Sequence, residues 1–250
     1  MKNSNKTFLL IHGAWEGAWS WAETTAFLEQ NGHTVKAIDL PGHGDDKTPI
    51  SEINMALYAN RVKEELNKIE GQVVLVGHSF GGFVISQVAE EMPSKIEKLV
   101  FVASAMPYEG KNAVEVFMED EKSEFLENLI YSEDKSTATM SKETILNVIF
   151  TGATEEQINA VIPKLVLQST TPFFERVITT DKNFGSVPKA YIETTLDRVI
   201  SLEAQRRGQK MLGIDEVVTL EYGHVPLETA PEKLAIALNK VATSNHKALA

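Results

Sequence analysis

Apolar positions in the first 105 residues fall into short runs separated by amphipathic stretches. "TFLLI" (7–11) is apolar almost throughout and reads as a buried strand. "WAETTAFLEQNG" then reads as a helix closed by Asn31-Gly32. "HTVKAIDL" is a strand, "PGHGDD" a loop, and "INMALYANRVKEELNKIEG" a helix ending at Gly71. "QVVLVG" is the next strand, a helix begins at Phe80, and "IEKLVFVASA" is again a strand. Near-continuous apolar strands alternating with helices predict a parallel sheet covered on both faces.

The alternation breaks after Ala105. From Met106 to about Val187 no strand pattern stands out, and three segments look like separate short helices: "AVEVFMEDEKSEFLENLIY", "SKETILNVIF" and "TEEQINAVIPKL". The earlier pattern then resumes with "KAYIETT", "SLEAQRRGQKML", "EVVTLE" and "PEKLAIALNKVA". The expectation is a discontinuous core, residues 1–105 and 188–250, with an all-helical cap inserted at 106–187. A connection that long without structure or function of its own would be unusual.

The chain has 250 residues, 43% hydrophobic and 24% charged, which suits an ordinary globular domain with a large core. Its formal net charge of −11 argues against nucleic acid or an anionic membrane as partner. There is no cysteine, so disulfides, thiol catalysis and thiolate metal sites are excluded. The first residues lack the pattern of a signal peptide, and cytoplasm is the expected compartment. No metal or cofactor is called for. The oligomeric state is left open, a homodimer included.

One motif changes the picture. Gly77-His78-Ser79-Phe80-Gly81 matches G-x-S-x-G, with a strand before it and a helix after it. Such a turn lifts a serine hydroxyl above the sheet, beside free N–H groups at a helix N-terminus. Ser79 is therefore the candidate nucleophile. Of the six histidines, His224 in "LEYGHVPLETAPEKL" follows the last strand, at the edge where parallel strands all end. It is the candidate base. His12, His33 and His43 read as structural, His78 is expected to point away from the site, and His246 lies near the end of the chain. Asp197, just past the "KAYIETT" strand, is the candidate acid, with Glu193 and Glu109 as rivals. The backbone N–H groups of Phe80 and Ala14 are the expected oxyanion donors. The two aspartates of "PGHGDD" read as solvated rather than metal-binding.

Four blocks, "LLIHGAWEGAWSW", "GHSFGG", "FGSVPKAYIETTLDRVISLEAQR" and "GHVPLETAPEKLA", resemble the plant methylesterase and hydroxynitrile lyase branch of the α/β-hydrolases, with its bacterial esterase relatives. The resemblance implies an α/β-hydrolase fold with six parallel strands in the order 2-1-3-4-5-6, a helical cap, and a triad of Ser79, Asp197 and His224. It implies cleavage of a small carboxylic ester through an acyl-enzyme. Two alternatives stay open: cyanohydrin cleavage on the same scaffold, and a non-catalytic receptor. The resembled lyases use a threonine and a lysine where this chain has Gly13 and Val225, two expected pocket positions. Trp15 and Glu16 replace the cysteine and histidine usual in the plant oxyanion loop. Phe117, Phe125, Phe173 and Phe174 are placed either in the pocket wall or in the core of the cap.

Overall fold

The computed structural model describes residues 5–244, so His246 lies outside the described residues. Among the described residues nine strands are formed: β1 (Thr7–Ile11), β2 (Thr34–Ile38), β3 (Val73–His78), β4 (Ile96–Val102), β5 (Leu129–Tyr131), β6 (Thr137–Met140), β7 (Gln168–Ser169), β8 (Lys189–Thr194) and β9 (Glu216–Leu220). Six of them make one parallel sheet in the order β2-β1-β3-β4-β8-β9. This is the sheet order implied by the resemblance to the α/β-hydrolases. The central strands are buried on both faces: Phe8 to Ile11 and Val74 to Val76 have no exposed surface. Each such side chain contributes roughly 1.5–3 kcal/mol on burial, which is why these strands read as unbroken apolar runs.

Connection handedness distributes the helices. The step from β1 to β2 runs one way across the sheet, and the step from β2 to β3 runs back. Right-handed crossovers in opposite directions put their helices on opposite faces. Helix Ala22–Gln30 accordingly packs with the last helix, Pro231–Thr243, while helix Met55–Lys68 packs with helix Gly81–Glu91. All six strands end at one edge, where the segments after Ile11, His78, Thr194 and Leu220 gather. No helix of the described residues is long and apolar enough to cross a membrane.

The segment between β4 and β8 differs from the expected all-helical insertion. It holds short helices at Ala113–Met118, Lys142–Thr144 (continued as a π-helical turn, Ile145–Ile149), Glu155–Val161 and Thr171–Phe174. It also holds a three-stranded antiparallel sheet, β5-β6-β7. These strands have three, four and two residues, too few for a period of two to register. The helix read over 113–131 stops at Met118. Its continuation is drawn elsewhere, because the buried Asp120 carboxylate accepts hydrogen bonds from the Ser201 N–H (2.7 Å) and hydroxyl (2.6 Å). Long-range contacts override local propensity here.

Candidate active site

Ser79 sits where β3 turns sharply into helix Gly81–Glu91, with φ at +50°. A non-glycine residue in this left-handed region is strained, at roughly 1–3 kcal/mol. The strain is held by tertiary bonds: the Ser79 N–H donates to Val102 O at 3.1 Å, and the Ser104 hydroxyl donates to Ser79 O at 2.7 Å. The flanking glycines are forced by close approach. A Cβ on Gly77 would lie 2.7 Å from Gly81 O, and one on Gly81 would lie 2.7 Å from His12 O.

Three sheet-edge segments bring Ser79, His224 and Asp197 into one hydrogen-bonded chain. Ser79 Oγ lies 2.8 Å from His224 Nε2, and His224 Nδ1 lies 2.8 Å from Asp197 Oδ2. Asp197 Oδ1 accepts from the N–H groups of Val199 (2.8 Å) and Ile200 (2.9 Å), and Oδ2 also accepts from the Thr194 hydroxyl (3.1 Å). A carboxylate oxygen accepts, so the proton of the His224–Asp197 bond is on His224 Nδ1. Nε2 is then free to accept from the serine. The rivals are elsewhere: Glu109 is paired with Lys111, and Glu193 with Arg206. Asp215 lies before β9, at the opposite edge.

The loop after β1 is fixed by His12. Leu40 N–H donates to His12 Nε2 (3.1 Å), so the ring proton is on Nδ1, which donates to Gly13 O (2.7 Å). Burial, with His43 nearby, depresses the His12 pKa to about 3 and keeps the ring neutral. In a trans peptide the Ala14 N–H points opposite to the Gly13 carbonyl, so this bond turns the Ala14 donor away from His12. Ala14 and Ser79 line the same cavity. The same loop is stitched to the insertion by Trp15: its indole N–H donates to Ala138 O (2.8 Å), its carbonyl accepts from Val166 N–H (3.0 Å), and its N–H donates to the Gln168 side chain (3.3 Å).

Gly13 and His78 need correction. Gly13 does not line the cavity; Val225 does. A Cβ on Gly13 would meet His78 Nδ1 at 2.9 Å and Ser79 Cβ at 3.0 Å. The glycine thus makes room for a histidine, and not for substrate as expected. His78 does not point away. Its Nδ1 lies 3.0 Å from Glu16 Oε2 and its Nε2 2.9 Å from the backbone oxygen of His224. The same Glu16 oxygen accepts from Gly13 N–H at 3.0 Å. Burial opposes charge on both side chains, yet their mutual attraction outweighs it: His78 is raised and Glu16 lowered. Nothing in the local sequence reveals this pair, because Glu16 and His78 meet only when β1 and β3 align.

Glu228, four residues past His224, shows the opposite effect. Burial, with Glu16 close by, pushes its carboxyl up to about 7 from 4.5, with Lys164 partly opposing. A raised carboxyl pKa means the folded state binds the proton more tightly. Its favourable contribution is complete below about pH 4.5 and is lost as pH rises through 7. Glu228→Gln should therefore stabilise the protein by ~1–3 kcal/mol at pH 8 and by little at pH 4.5. Chemical denaturation at the two pH values measures this, and an equal effect at both would refute it.

The cavity above Ser79 encloses about 400 Å³, counting the space that opens to solvent. Phe125, Met140, Ile145, Ile149 and Phe150 of the insertion form much of its wall, opposite Val199 and Val225. No lysine or arginine lines it. Of the four phenylalanines weighed from sequence, only Phe125 lines this cavity; Phe117, Phe173 and Phe174 surround a neighbouring void within the insertion. Among the described residues no cluster of histidine and acidic side chains could hold a metal.

Residues 8–237 match the model of the alpha/beta hydrolase family. Salicylic acid-binding protein 2 of Nicotiana tabacum is 31% identical over 255 residues, covering 95% of this chain and 97% of its own. A chloroplastic relative from Arabidopsis thaliana, named as a methylesterase, is 32% identical over 94% of this chain; the chain spans 63% of that protein's length, under two thirds. Among solved structures, a pyrethroid hydrolase from Sphingobium faniae JZ-2 superposes with a TM-score of 0.84 at 26% identity, covering 97% of this chain and 99% of its own.

Proposed function

We propose that this chain, which belongs to the alpha/beta hydrolase family, in the branch that holds the plant methylesterases, is a serine hydrolase that cleaves small, uncharged carboxylic esters. The observation that carries the reading is the unbroken run Ser79 Oγ–His224–Asp197, with both links at 2.8 Å, at the floor of an apolar cavity.

In this reading Ser79 Oγ attacks the ester carbonyl and His224 Nε2 takes its proton, while Asp197 stabilises the imidazolium. Negative charge on the carbonyl oxygen is held by the N–H groups of Ala14 and Phe80, each worth roughly 10²–10³ in rate. His224 returns the proton to the departing alkoxide, and the alcohol leaves an acyl-Ser79 ester. A water then gives a proton to His224 and attacks the acyl carbon; the bond from that carbon to Ser79 Oγ breaks, His224 Nε2 returns the proton to Oγ, and the acid is released. The 106–187 insertion acts as the cap that keeps the cavity dry, over a catalytic core of residues 1–105 and 188–250. Among the described residues its lining offers no free cation, because His78 is taken up by Glu16; this suits neutral substrates, since an unpaired buried carboxylate costs several kcal/mol.

Gly13 and Val225 carry no group for a cyanohydrin hydroxyl or a departing cyanide. The test is a panel of p-nitrophenyl acetate, methyl and aryl esters, mandelonitrile and acetone cyanohydrin. Ester hydrolysis with an initial burst is expected, and no detectable cyanide. Cyanide release at a rate comparable to ester turnover, or no turnover of any ester by the folded protein, would overturn the assignment.

A further inference from the structure

We propose that Glu16 and His78 form a permanently charged clamp that fixes the oxyanion loop and the His224 loop relative to Ser79; the inference rests on the serine-hydrolase reading above. Both His78 ring nitrogens face acceptors, a carboxylate oxygen at 3.0 Å and the His224 carbonyl at 2.9 Å. A neutral imidazole has one donor and one lone pair. Glu16 Oε2 already accepts the Gly13 N–H and is read as a carboxylate oxygen; a neutral ring would set its lone pair against that oxygen or against the carbonyl, so with Glu16 ionised only the imidazolium makes both bonds. His78 is 1% exposed and Glu16 4%, so the carboxylate supplies the countercharge that water cannot. Its Oε2 also takes the Gly13 N–H. One ion pair thus touches the loop after β1, the turn at Ser79 and the loop after β9.

The surrounding charges agree with this placement. Asp197 adds to the field that holds the proton on His78. Glu228 responds to both members of the pair. His12, on the other side of Gly13, is bonded to one donor and one acceptor and stays neutral. Two buried histidines in adjacent strands therefore hold different charge states because their partners differ. His78 and Glu16 are positioning residues. They act through the placement of Ser79, His224 and the Ala14 donor, where a misplacement of ~1 Å lowers the rate about 10²-fold.

Long-range ¹H–¹⁵N correlation spectra of the wild-type protein should show protons on both ring nitrogens of His78 at pH 7.5. A neutral His78 ring would overturn the clamp. Glu16→Gln keeps shape and hydrogen-bonding capacity but removes the charge. Glu16→Gln and His78→Gln should each slow phosphonylation of Ser79 by a fluorophosphonate, and kcat, by about 10- to 100-fold, with KM within about threefold. The double variant should be no slower than the slower single one. Wild-type rates in folded Glu16→Gln, losses confined to KM, or single effects that multiply would each refute the proposal. If the wild-type protein resists the fluorophosphonate, the serine-hydrolase reading fails instead, and the spectrum alone decides whether the charged pair exists.

Discussion

Ser79→Ala is expected to lower ester kcat by about 10⁶ and leave the fold intact. Among the described residues the hydroxyl bonds to His224 Nε2 alone, at 2.8 Å, so its removal frees that one acceptor. Alanine keeps the Cβ and with it the strained φ of +50°. Ser79→Gly should be equally inactive but more stable, because glycine tolerates that backbone without strain. A fluorophosphonate should label the wild-type protein on Ser79 alone, read by peptide mass spectrometry. Labelling at another serine, or turnover surviving in Ser79→Ala, would remove Ser79 as nucleophile.

Asp197→Asn should lower kcat by about 10⁴, and the surroundings of the carboxylate explain why. Oδ1 accepts from two backbone N–H groups, which cannot rotate away. An asparagine must keep its oxygen there and turn its NH₂ toward His224 Nδ1. That ring nitrogen must then accept, the proton moves to Nε2, and Ser79 loses its base. Thermal stability should fall only modestly. Glu109→Gln should change kcat less than about threefold, since that side chain is exposed and paired with Lys111. If the two variants exchanged effects, the acid would have to come from the segment after β4.

Much of this arrangement is legible in the sequence. Ser79 announces itself because the turn needs glycines at fixed offsets, and the strand before it is apolar enough to read. Asp197 and His224 could be selected because parallel strands end at one edge and each residue closely follows a strand. The small sheet of the insertion was not legible: Leu129–Tyr131 sits at the end of what reads as a helix, and Gln168–Ser169 is two residues long. Gly13 is a pocket position only by correspondence with the resembled lyases; here the space beside it is taken by His78 and Ser79. The Glu16–His78 pair joins residues 62 positions apart. Neither residue carries a local signal, since charge in a core is read from partners and not from patterns.

The bonds of Trp15 bear on how this enzyme could be re-engineered. Its indole, carbonyl and N–H are all spoken for by residues 138, 166 and 168 of the insertion. The insertion is therefore not an exchangeable cassette. A chimera that took residues 106–187 from a relative would have to bring a carbonyl and an N–H of its backbone to the places of Ala138 and Val166 and a side-chain acceptor to that of Gln168; each of the three Trp15 groups left buried without a partner would cost ~1–3 kcal/mol. A graft is best matched to residues 14–16 as well as to the insertion, so the transplantable unit is split across two distant stretches of the gene.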